Sequence, residues 1–424
     1  MTSPGPRDAP ALMDALVFRH DVGRYLFSRA VYRTAPAAWS VRMAPLDHVR
    51  CPRPRAAAPG WATIRVRLAG ICGTDANLLT GSDSLFLEPE ATYPFVPGHE
   101  LVGEILDASP GSGEPPMPPS GTRVAVWAVL GCRARGVEQP CRHCLEGWEG
   151  LCERRGPEWP GPALGIGFSR EMGGGWSEEC LAHVTQLWPL PDAVADEDAV
   201  LLDPAATALA ALLRTQKGDP ATNLVIGGGT IGLLCMRLAK ALALPGSWVL
   251  LARHEFQRAF AEHHGHSAVR LSRDAEFHEW LLSRGATSTT VAGYGRVVRG
   301  AFDRVINAAG SVQSFRWALE AAAPRATVAL VSAPASVRRF DPTPVWCREI
   351  TLRGIYDYGP VPWQGASRHP YSVLLPLLEH GETSFRDLIT HTFRLRDYRE
   401  ALSAAVHRGR TGAVKVVFRP GGDA

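Results

Sequence analysis

The sequence has little excess charge and no uninterrupted apolar run, and each absence excludes a class of protein. Its 424 residues carry a formal net charge of only +3, which does not indicate binding to nucleic acid or to an anionic membrane. The most apolar stretch, residues 224–251, contains Arg237 and Lys240 and is broken by Pro245, so it cannot form a membrane span. The first ten residues are polar and rich in proline, unlike a signal peptide. We therefore expect a cytoplasmic protein whose partners are small molecules, with no nucleic acid and no membrane among them.

The cysteines exclude a second class, the small secreted protein held together by disulfides. The chain has nine cysteines, an odd number, and four of them stand within one short segment. That distribution favours metal binding in a reducing compartment over a disulfide framework. A length of 424 residues also exceeds one ordinary hydrophobic core, so two domains are expected.

The first half of the chain is typical of β-structure. Residues 1–60 are rich in proline and arginine, and we expect them to be irregular apart from a strand at 14–18. Alternation of apolar and polar residues predicts the strands that follow, at 63–68, 101–106 and 123–130.

From about residue 196, predicted strands and helices alternate. The strands are expected at 223–226, 248–252, 303–307, 327–331 and 350–353, and the helices at 199–213, 230–242 and 255–264. Such alternation predicts a parallel sheet with right-handed crossovers. Pro204 predicts a kink or a fresh start in the first helix. The tail, with a predicted helix at 398–406 and a predicted strand at 413–418, could rejoin the first domain.

A glycine pattern follows the predicted strand at 223–226 and opens the helix after it. Gly227, Gly229 and Gly232 have the spacing G-x-G-x-x-G, with Thr230 and Ile231 between the last two glycines. In this context a dinucleotide pyrophosphate can bind the free N–H groups at a helix N-terminus, where the helix dipole favours an anion. A tight structural turn is the alternative.

The end of the next strand predicts which dinucleotide binds. An acid usually stands there in NAD-binding proteins and contacts the ribose. Here the strand ends in Arg253 and His254, Arg258 follows one turn later, and the first acid is Glu255. Because arginine pairs with a 2′-phosphate, NADP is favoured, while NAD stays possible. The alternative is that these arginines are solvated residues at the start of a helix.

The four clustered cysteines are Cys132, Cys141, Cys144 and Cys152. Four thiolates in one loop predict a closed, tetrahedral zinc site of the structural kind. Such a site would brace a loop that has little core of its own. Four unrelated loop cysteines are the alternative.

Cys72 and His99 form a second candidate zinc site, because each stands beside glycine, in Gly70-Ile-Cys-Gly-Thr-Asp75 and in Pro97-Gly-His-Glu100. A catalytic zinc keeps three protein ligands and one open position. Asp203, an acid in an apolar run, is the first candidate for the third ligand, and a helix cap is its competing role. Glu100 is either an alternative ligand or a group that supports the ligands.

Together these motifs resemble those of the zinc-dependent medium-chain dehydrogenase/reductase family, the alcohol dehydrogenase-like superfamily. The resemblance covers about residues 60–420 and includes Phe302-Asp-Arg-Val-Ile-Asn-Ala-Ala-Gly310, which is similar to the family's strand beside the nicotinamide and makes Ala308 a cofactor contact. It implies an α/β fold class. A GroES-like, mostly-β catalytic domain with the structural zinc lobe would span residues 1–200. A Rossmann domain with a doubly wound parallel sheet would bind NAD(P) over 201–350, and a C-terminal segment, 351–424, would return to the catalytic domain.

The resemblance also implies roles for single residues. Cys72, His99 and an acid at Asp203 would hold the catalytic zinc, and the Thr74 hydroxyl would touch the substrate oxygen. Three features depart from the family. Eight residues separate Cys132 from Cys141 where two are usual, Asp203 stands where related dehydrogenases tend to have glutamate, and Asn77 replaces a relay histidine often found five residues after the cysteine.

The resulting prediction is a zinc-dependent, NAD(P)-dependent alcohol dehydrogenase, which moves a hydride between an alcohol and its carbonyl product. A secondary alcohol, a polyol or an amino alcohol is the expected substrate, and relatives suggest a homodimer or homotetramer. Two other hypotheses stay open. One is a zinc-free quinone or enoyl reductase of the same superfamily, which Cys72 and His99 disfavour. The other is a non-catalytic NADP-binding protein on this fold.

Overall fold

The computed structural model describes residues 11–56, 58–109, 111, 115–156, 161, 163–216, 221–293, 295–332, 334–338 and 340–421. These residues form two compact units. Unit 1 comprises Met1–Val200, His391–His407 and Val416–Ala424, and unit 2 comprises Leu201–Thr390 and Arg408–Lys415. The first ten residues lie outside the described part of the chain.

Unit 1 is mostly β-structure. Up to residue 200 its strands are β1 (Leu12–Phe18), β2 (Leu46–Pro52), β3 (Trp61–Gly70), β4 (Leu101–Ser109), β5 (Arg123–Val126), β6 (Glu179–His183) and β7 (Leu187–Pro189). Its helices are α1 (Val22–Thr34), α2 (Gly73–Thr80), α3 (Arg142–Leu145) and α4 (Asp196–Ala199). Short 3-10 turns lie at Pro36–Ala38, Val41–Met43, Leu85–Glu90, Glu149–Leu151 and Val184–Gln186.

The strand expected at 14–18 is confirmed as part of β1. The prediction that the rest of residues 11–60 is irregular is wrong, because β2, which pairs with β1, and helix α1 also lie there. Helix α1 begins at Val22 because the Asp21 carboxylate accepts a hydrogen bond, 3.0 Å long, from the backbone N–H of Arg24. It packs against α2, where the Ser28 hydroxyl donates to the carbonyl of Leu79 at 2.6 Å.

Unit 2 alternates strands and helices. Its strands are β8 (Thr222–Ile226), β9 (Ser247–Ala252), β10 (Ala268–Arg270), β11 (Thr287–Val291), β12 (Gly295–Arg299), β13 (Phe302–Asn307), β14 (Ala322–Leu330), β15 (Thr351–Gly354), β16 (Val361–Trp363) and β17 (Ala366–Arg368). Its helices are α5 (Leu202–Arg214), α6 (Thr230–Ala241), α7 (Glu255–His263), α8 (Asp274–Ser283), α9 (Val312–Ala321), α10 (Thr343–Trp346) and α11 (Pro370–Glu379). After a 3-10 turn at Arg386–Leu388, the chain ends with β18 (Ile389–Arg394), a turn at Leu395–Asp397, α12 (Tyr398–Val406), α13 (Arg408–Thr411) and β19 (Lys415–Arg419).

Six strands of unit 2 form one parallel sheet in the order β10-β9-β8-β13-β14-β15. The strand order reverses between β8 and β13, and ligands bind at such a switch point in doubly wound sheets. One cluster of buried apolar side chains, which includes Val305, Phe277 and Trp317, packs on this sheet. The expected Rossmann-type parallel sheet is therefore confirmed.

The main sheet of unit 1 has the order β18-β19-β3-β4-β5-β7, and β6 pairs with β3. The pairs of β3 with β4, β6 and β19 are antiparallel, as are β4 with β5 and β5 with β7. This mixture of a mostly-β unit and a doubly wound unit is the α/β architecture that the sequence predicts.

The last part of the chain is shared between the two units. Residues 351–390 belong with unit 2, because β15 adds a parallel strand beside β14 and α11 packs against α5. Residues 391–407 and 416–421 are the part that belongs with unit 1. Among the described residues, no helix is both long enough and apolar enough to cross a bilayer.

His183, at the end of β6, is buried, and the folded protein disfavours its protonated form. Its ring lies 5.5 Å from the ring of Trp61, and its Nδ1 lies 2.9 Å from the Thr185 hydroxyl. Burial, and to a lesser extent Arg133, lower the pKa of His183 to about 4. An unfolded histidine takes up its proton near pH 6.5, so the unfolded chain binds more protons than the folded chain between pH 6.5 and 4.

We therefore expect the free energy of unfolding to fall as the pH is lowered from 6.5 to 4. His183→Asn keeps an acceptor for the Thr185 N–H, and it should reduce this slope by up to one proton, about 1.4 kcal/mol per pH unit. Urea midpoints measured across this range test the expectation. His380→Asn, which replaces an exposed histidine, is the control, and equal slopes in the two variants would contradict it.

Candidate functional site

Cys72 lies in unit 1, between strand β3 and helix α2. Strand β3 ends at Gly70, and Cys72 is the N-cap of α2. Its backbone N–H donates to Asp75 Oδ2 at 2.8 Å, which closes a capping box and fixes the start of the helix. The Cys72 Sγ atom lies 3.8 Å from the Thr74 hydroxyl. The thiol and the hydroxyl that the sequence singled out are therefore neighbours.

His99 follows Gly98, whose backbone conformation and close neighbours leave no room for a side chain. Gly98 has φ +96°, and a Cβ there would lie 2.4 Å from Cδ1 of the buried Trp176. The His99 ring stacks on Phe168 with centroids 5.2 Å apart. Its Nδ1 lies 3.7 Å from Asp75 Oδ1, so the carboxylate that caps α2 also faces the imidazole.

The ligand atoms of Cys72, His99 and Glu100 all lie within 4.8 Å of one another. Glu100 is only 2% exposed, so its carboxylate lies inside the protein close to the thiol and the imidazole. A thiolate, an imidazole and a carboxylate together form a donor set that fits a zinc ion with an open position. Thr74, beside this group, is the hydroxyl positioned to meet a bound oxygen.

Asp203 belongs to unit 2, in the first turn of α5. Its Oδ2 accepts a hydrogen bond from the Tyr358 hydroxyl at 2.7 Å, and that hydroxyl lies 3.0 Å from the hydroxyl of Tyr371. Its role as a metal ligand stays a prediction. The buried tyrosine pair that orients its carboxylate had no signal in the sequence.

The cysteine lobe brings its four sulfur atoms together. The ligand atoms of Cys132, Cys141, Cys144 and Cys152 lie within 4.8 Å of one another, and Cys132 Sγ is 3.6 Å from Cys152 Sγ. Cys132 is included despite its unusual spacing. A hydrogen bond from the Cys144 thiol lowers the pKa of Cys152 to about 5, which favours a thiolate in the group.

Arg135 is a residue of this lobe that the sequence did not single out. Its guanidinium donates to the carbonyls of Leu130, Gly161 and Ala163 at 3.3, 2.5 and 2.6 Å. Its charge also lies near Cys152, where it helps to lower the thiol pKa. Arg135 therefore connects the lobe to its neighbouring loop and balances thiolate charge.

In unit 2, the glycine loop joins β8 to α6 at the switch point of the parallel sheet. Gly229 is the N-cap of α6, and a Cβ at Gly232 would lie 1.8 Å from the carbonyl oxygen of Gly227. Helix and strand can approach this closely only with glycine at 232. The free N–H groups of the first turn of α6, which contains Thr230 and Ile231, are thereby left at the sheet edge.

Two further predicted cofactor contacts flank this loop. The Ala308 N–H donates to the carbonyl of Ile226 at 2.9 Å, so the loop after β13 lies against the loop after β8. The Thr230 hydroxyl donates to the Val414 carbonyl at 2.9 Å. Arg408, which no sequence motif marks, also lies beside this loop. Its Nη1 is 3.7 Å from the position that a Cβ at Gly229 would occupy. No local motif announces Arg408, because it lies far along the chain from the loop.

The two arginines after β9 differ in their surroundings. Arg258 forms ion pairs with Glu255 and Glu262, with N–O distances of 2.5 Å to each. Arg253 is exposed, and among the described residues no ion pair or hydrogen bond to its guanidinium is seen. Arg253 is therefore the more available cation at this end of the strand.

A family model, "Alcohol dehydrogenase GroES-like domain", matches residues 58–192, which contain Cys72, His99 and the cysteine lobe. An L-idonate 5-dehydrogenase from Vitis vinifera is 27% identical, covering 84% of this chain and 87% of its own length. Residues 58–192 thus match an alcohol dehydrogenase GroES-like domain, and most of the chain is similar to a dehydrogenase of the alcohol dehydrogenase-like superfamily.

Solved structures of dehydrogenases share the fold of this chain. A candidate zinc-binding dehydrogenase from Sinorhizobium meliloti 1021, bound to NADP, has a TM-score of 0.69 at 22% identity and covers 97% of this chain and all of its own. A short chain alcohol dehydrogenase (rspB) from Escherichia coli CFT073, complexed with NADH, has a TM-score of 0.70 at 22% identity over 96% of this chain and 99% of its own.

In the loop between β8 and α6, Gly229 and Gly232 can be tested by a matched pair of substitutions. Gly232→Ala should destabilise the protein by several kcal/mol, because its Cβ would overlap a backbone oxygen. Gly229→Ala meets no atom nearer than 3.7 Å, so it should fold normally and weaken dinucleotide binding. Thermal midpoints and equilibrium dialysis with NADP and NADH measure the two effects. A Gly232→Ala protein as stable as Gly229→Ala would contradict this description of the loop.

Proposed function

We propose that the protein is a zinc-dependent oxidoreductase that transfers a hydride between an alcohol and NADP, or from NADPH to the corresponding carbonyl. The observation that carries the proposal is the convergence of Cys72, His99 and Glu100 beside the Thr74 hydroxyl. The glycine loop of the parallel sheet supplies the second requirement, a place for a dinucleotide.

In this proposal Cys72, His99 and Glu100 hold the catalytic zinc. When bound, the ion would polarise the substrate oxygen and lower the pKa of an alcohol. The Thr74 hydroxyl accepts the alcohol proton, or donates one to a carbonyl oxygen. Asp75 fixes the orientation of His99 and Cys72, as carboxylates beside ligands commonly do. Phe168 covers one face of the imidazole and excludes water there.

The substrate class follows from what this group can bind. A metal with an open position takes one oxygen of a secondary alcohol, a polyol or an amino alcohol. The similarity to the L-idonate 5-dehydrogenase of Vitis vinifera supports the polyol class. Following nicotinamide absorbance with a panel of such alcohols, and with their ketones, tests the proposal directly. No turnover on any member of the panel would refute it.

The cysteine lobe is proposed to hold a second, structural zinc. The apolar cluster of the lobe consists mainly of the cysteines themselves, with Val137 beside them. A loop with so little other core depends on its metal for folding energy.

Metal analysis of variants distinguishes the two proposed sites. The wild type should contain two zinc ions per chain, one for each group of ligands. Glu100→Gln should lower this to about one and abolish turnover while the fold is kept, because a neutral amide is a poorer ligand than a carboxylate. Cys144→Ser should also lower it to about one, but with a large loss of thermal stability.

Asp203→Asn decides between the two acids. If Glu100 is the third ligand, this variant keeps both zinc ions. If it instead loses one ion while Glu100→Gln keeps two, Asp203 is the ligand and the assignment to Glu100 is wrong. A wild type that turns over alcohol without zinc would refute the metal-dependent chemistry.

Cofactor preference is proposed to depend on Arg253. A charge-assisted contact to the 2′-phosphate contributes about 1.5–3 kcal/mol, so kcat/KM for NADP should exceed that for NAD by about ten- to a hundredfold. Arg253→Asp removes the attraction and adds repulsion, and it should abolish or reverse the preference. Arg258→Gln is the comparison, with a smaller effect, because Glu255 and Glu262 already pair with Arg258. A wild type that prefers NAD would refute the role of Arg253.

A further inference from the structure

The loop after α2 folds back and brings a carboxyl group to Asn77. Helix α2 ends at Gly81, which has φ +66°. The Ser82 N–H donates to the Asn77 carbonyl at 2.8 Å, and the hydroxyls of Thr80 and Ser82 lie 3.0 Å apart. This turn returns Asp83 to the neighbourhood of the Asn77 side chain, whose polar interaction favours the ionised carboxyl group.

Asn77 connects this carboxyl group to the proposed metal group. Thr74 and Asn77 are three positions apart in α2, so their side chains are neighbours on one face of the helix. Thr74 lies beside Cys72 Sγ. Three polar groups, the Thr74 hydroxyl, the Asn77 amide and the Asp83 carboxyl, therefore follow one another along this face.

The charges around Asp83 come from three segments. Asp75 lies nearby on α2, Tyr25 with its hydrogen-bonded neighbour Arg29 comes from α1, and Tyr93 comes from the segment before β4. Burial and the Asp75 charge raise the pKa of Asp83 to about 7, while the Asn77 hydrogen bond lowers it. Asp83 is half-buried, so it retains access to solvent.

Helix α1 is one cause of this burial. The Arg29 Cβ lies 2.6 Å from the place where a Cβ at Gly81 would stand, so α1 packs directly on the turn that carries Asp83. A carboxyl group that titrates near neutral pH exchanges protons readily in both directions at physiological pH. An ordinary exposed aspartate would be ionised throughout and would hold a proton poorly.

We propose that Asp83 accepts the proton that the alcohol loses during oxidation and passes it to solvent. The proposal rests on the proposed function, in which the alcohol C–H bond breaks as a hydride to the nicotinamide and the O–H bond releases one proton. The Thr74 hydroxyl takes that proton and gives its own to water, which protonates the Asp83 carboxylate. The carboxylic acid then loses the proton to bulk water, and the carboxylate is restored. Asn77 positions Asp83 and carries no proton itself.

The principal experiment compares pH profiles of kcat for alcohol oxidation by the holoenzyme. The wild-type rate should rise with an apparent pKa near 7, because Asp83 must be ionised to accept a proton. Asp83→Asn should lose this inflection, and its kcat at pH 8 should fall about a hundredfold, the lower end of what a positioned acid or base contributes. Glu88→Gln is the control. It removes an exposed carboxylate five residues after Asp83, and it should change neither the inflection nor kcat at pH 8.

Two rescue variants separate proton transfer from a structural role. Asp83→Glu keeps a carboxyl group and should restore part of the rate. Adding Asn77→His to Asp83→Asn supplies an imidazole with an ordinary pKa near 6.5, and it should restore a pH-dependent rate. If neither rescues the rate, Asp83 acts through structure and the proposal is overturned.

A readout without turnover completes the test. Carboxyl carbon NMR of the holoenzyme without substrate should show one aspartate titrating near pH 7 in the wild type and none there in Asp83→Asn. This variant should be at least as stable as the wild type at pH 8, because it removes a buried charge whose folded pKa exceeds its unfolded value of 3.8. If Asp83→Asn keeps the wild-type kcat and profile, the proton leaves directly through bulk water and the proposal is wrong. A wild type that oxidises no alcohol at any pH refutes the proposed function itself, and with it this role.

Discussion

One buried carboxylate, that of Asp75, holds the proposed metal group together. It is 2% exposed, it accepts the Cys72 N–H at 2.8 Å, and its other oxygen lies 3.7 Å from His99 Nδ1. The start of α2 and the segment before β4 are thereby tied to one charge. A buried carboxylate is stable only where such partners surround it. The same charge raises the pKa of Asp83, so ligand geometry and the proposed proton exit depend on one residue.

The sequence predicts the fold best where local patterns and tertiary packing agree. Helix α12 has its predicted bounds, and α6 ends one residue earlier than predicted, because each presents an apolar face to a core. Helix α1 was missed for the opposite reason. Ser28 is its one buried residue, while Leu26 and Phe27 are more than half exposed. Without a buried stripe, no period of 3.6 residues marks the helix in the sequence.

The candidate site divides in the same way. The sequence marks Cys72 and His99 by the glycines beside them, and at Gly98 the reason is visible in its φ of +96°. The choice between Glu100 and Asp203 could not be predicted, because it depends on where each carboxylate points. Arg408 and Asp83 were missed because their contacts, to Gly229 and Asn77, come from tertiary folding and not from sequence spacing.

The two groups of candidate ligands stand in different surroundings, so the two proposed metal ions would act in different ways. Cys72 and His99 lie in a frame that other contacts already fix, including Trp176 against Gly98 and Phe168 against His99. A metal there adds chemistry to a preformed site. In the lobe, the apolar cluster consists mainly of the cysteines with Val137 beside them, and hydrogen bonds from Arg135 to nearby carbonyls add support. A metal there replaces the missing core, so its binding energy becomes folding energy.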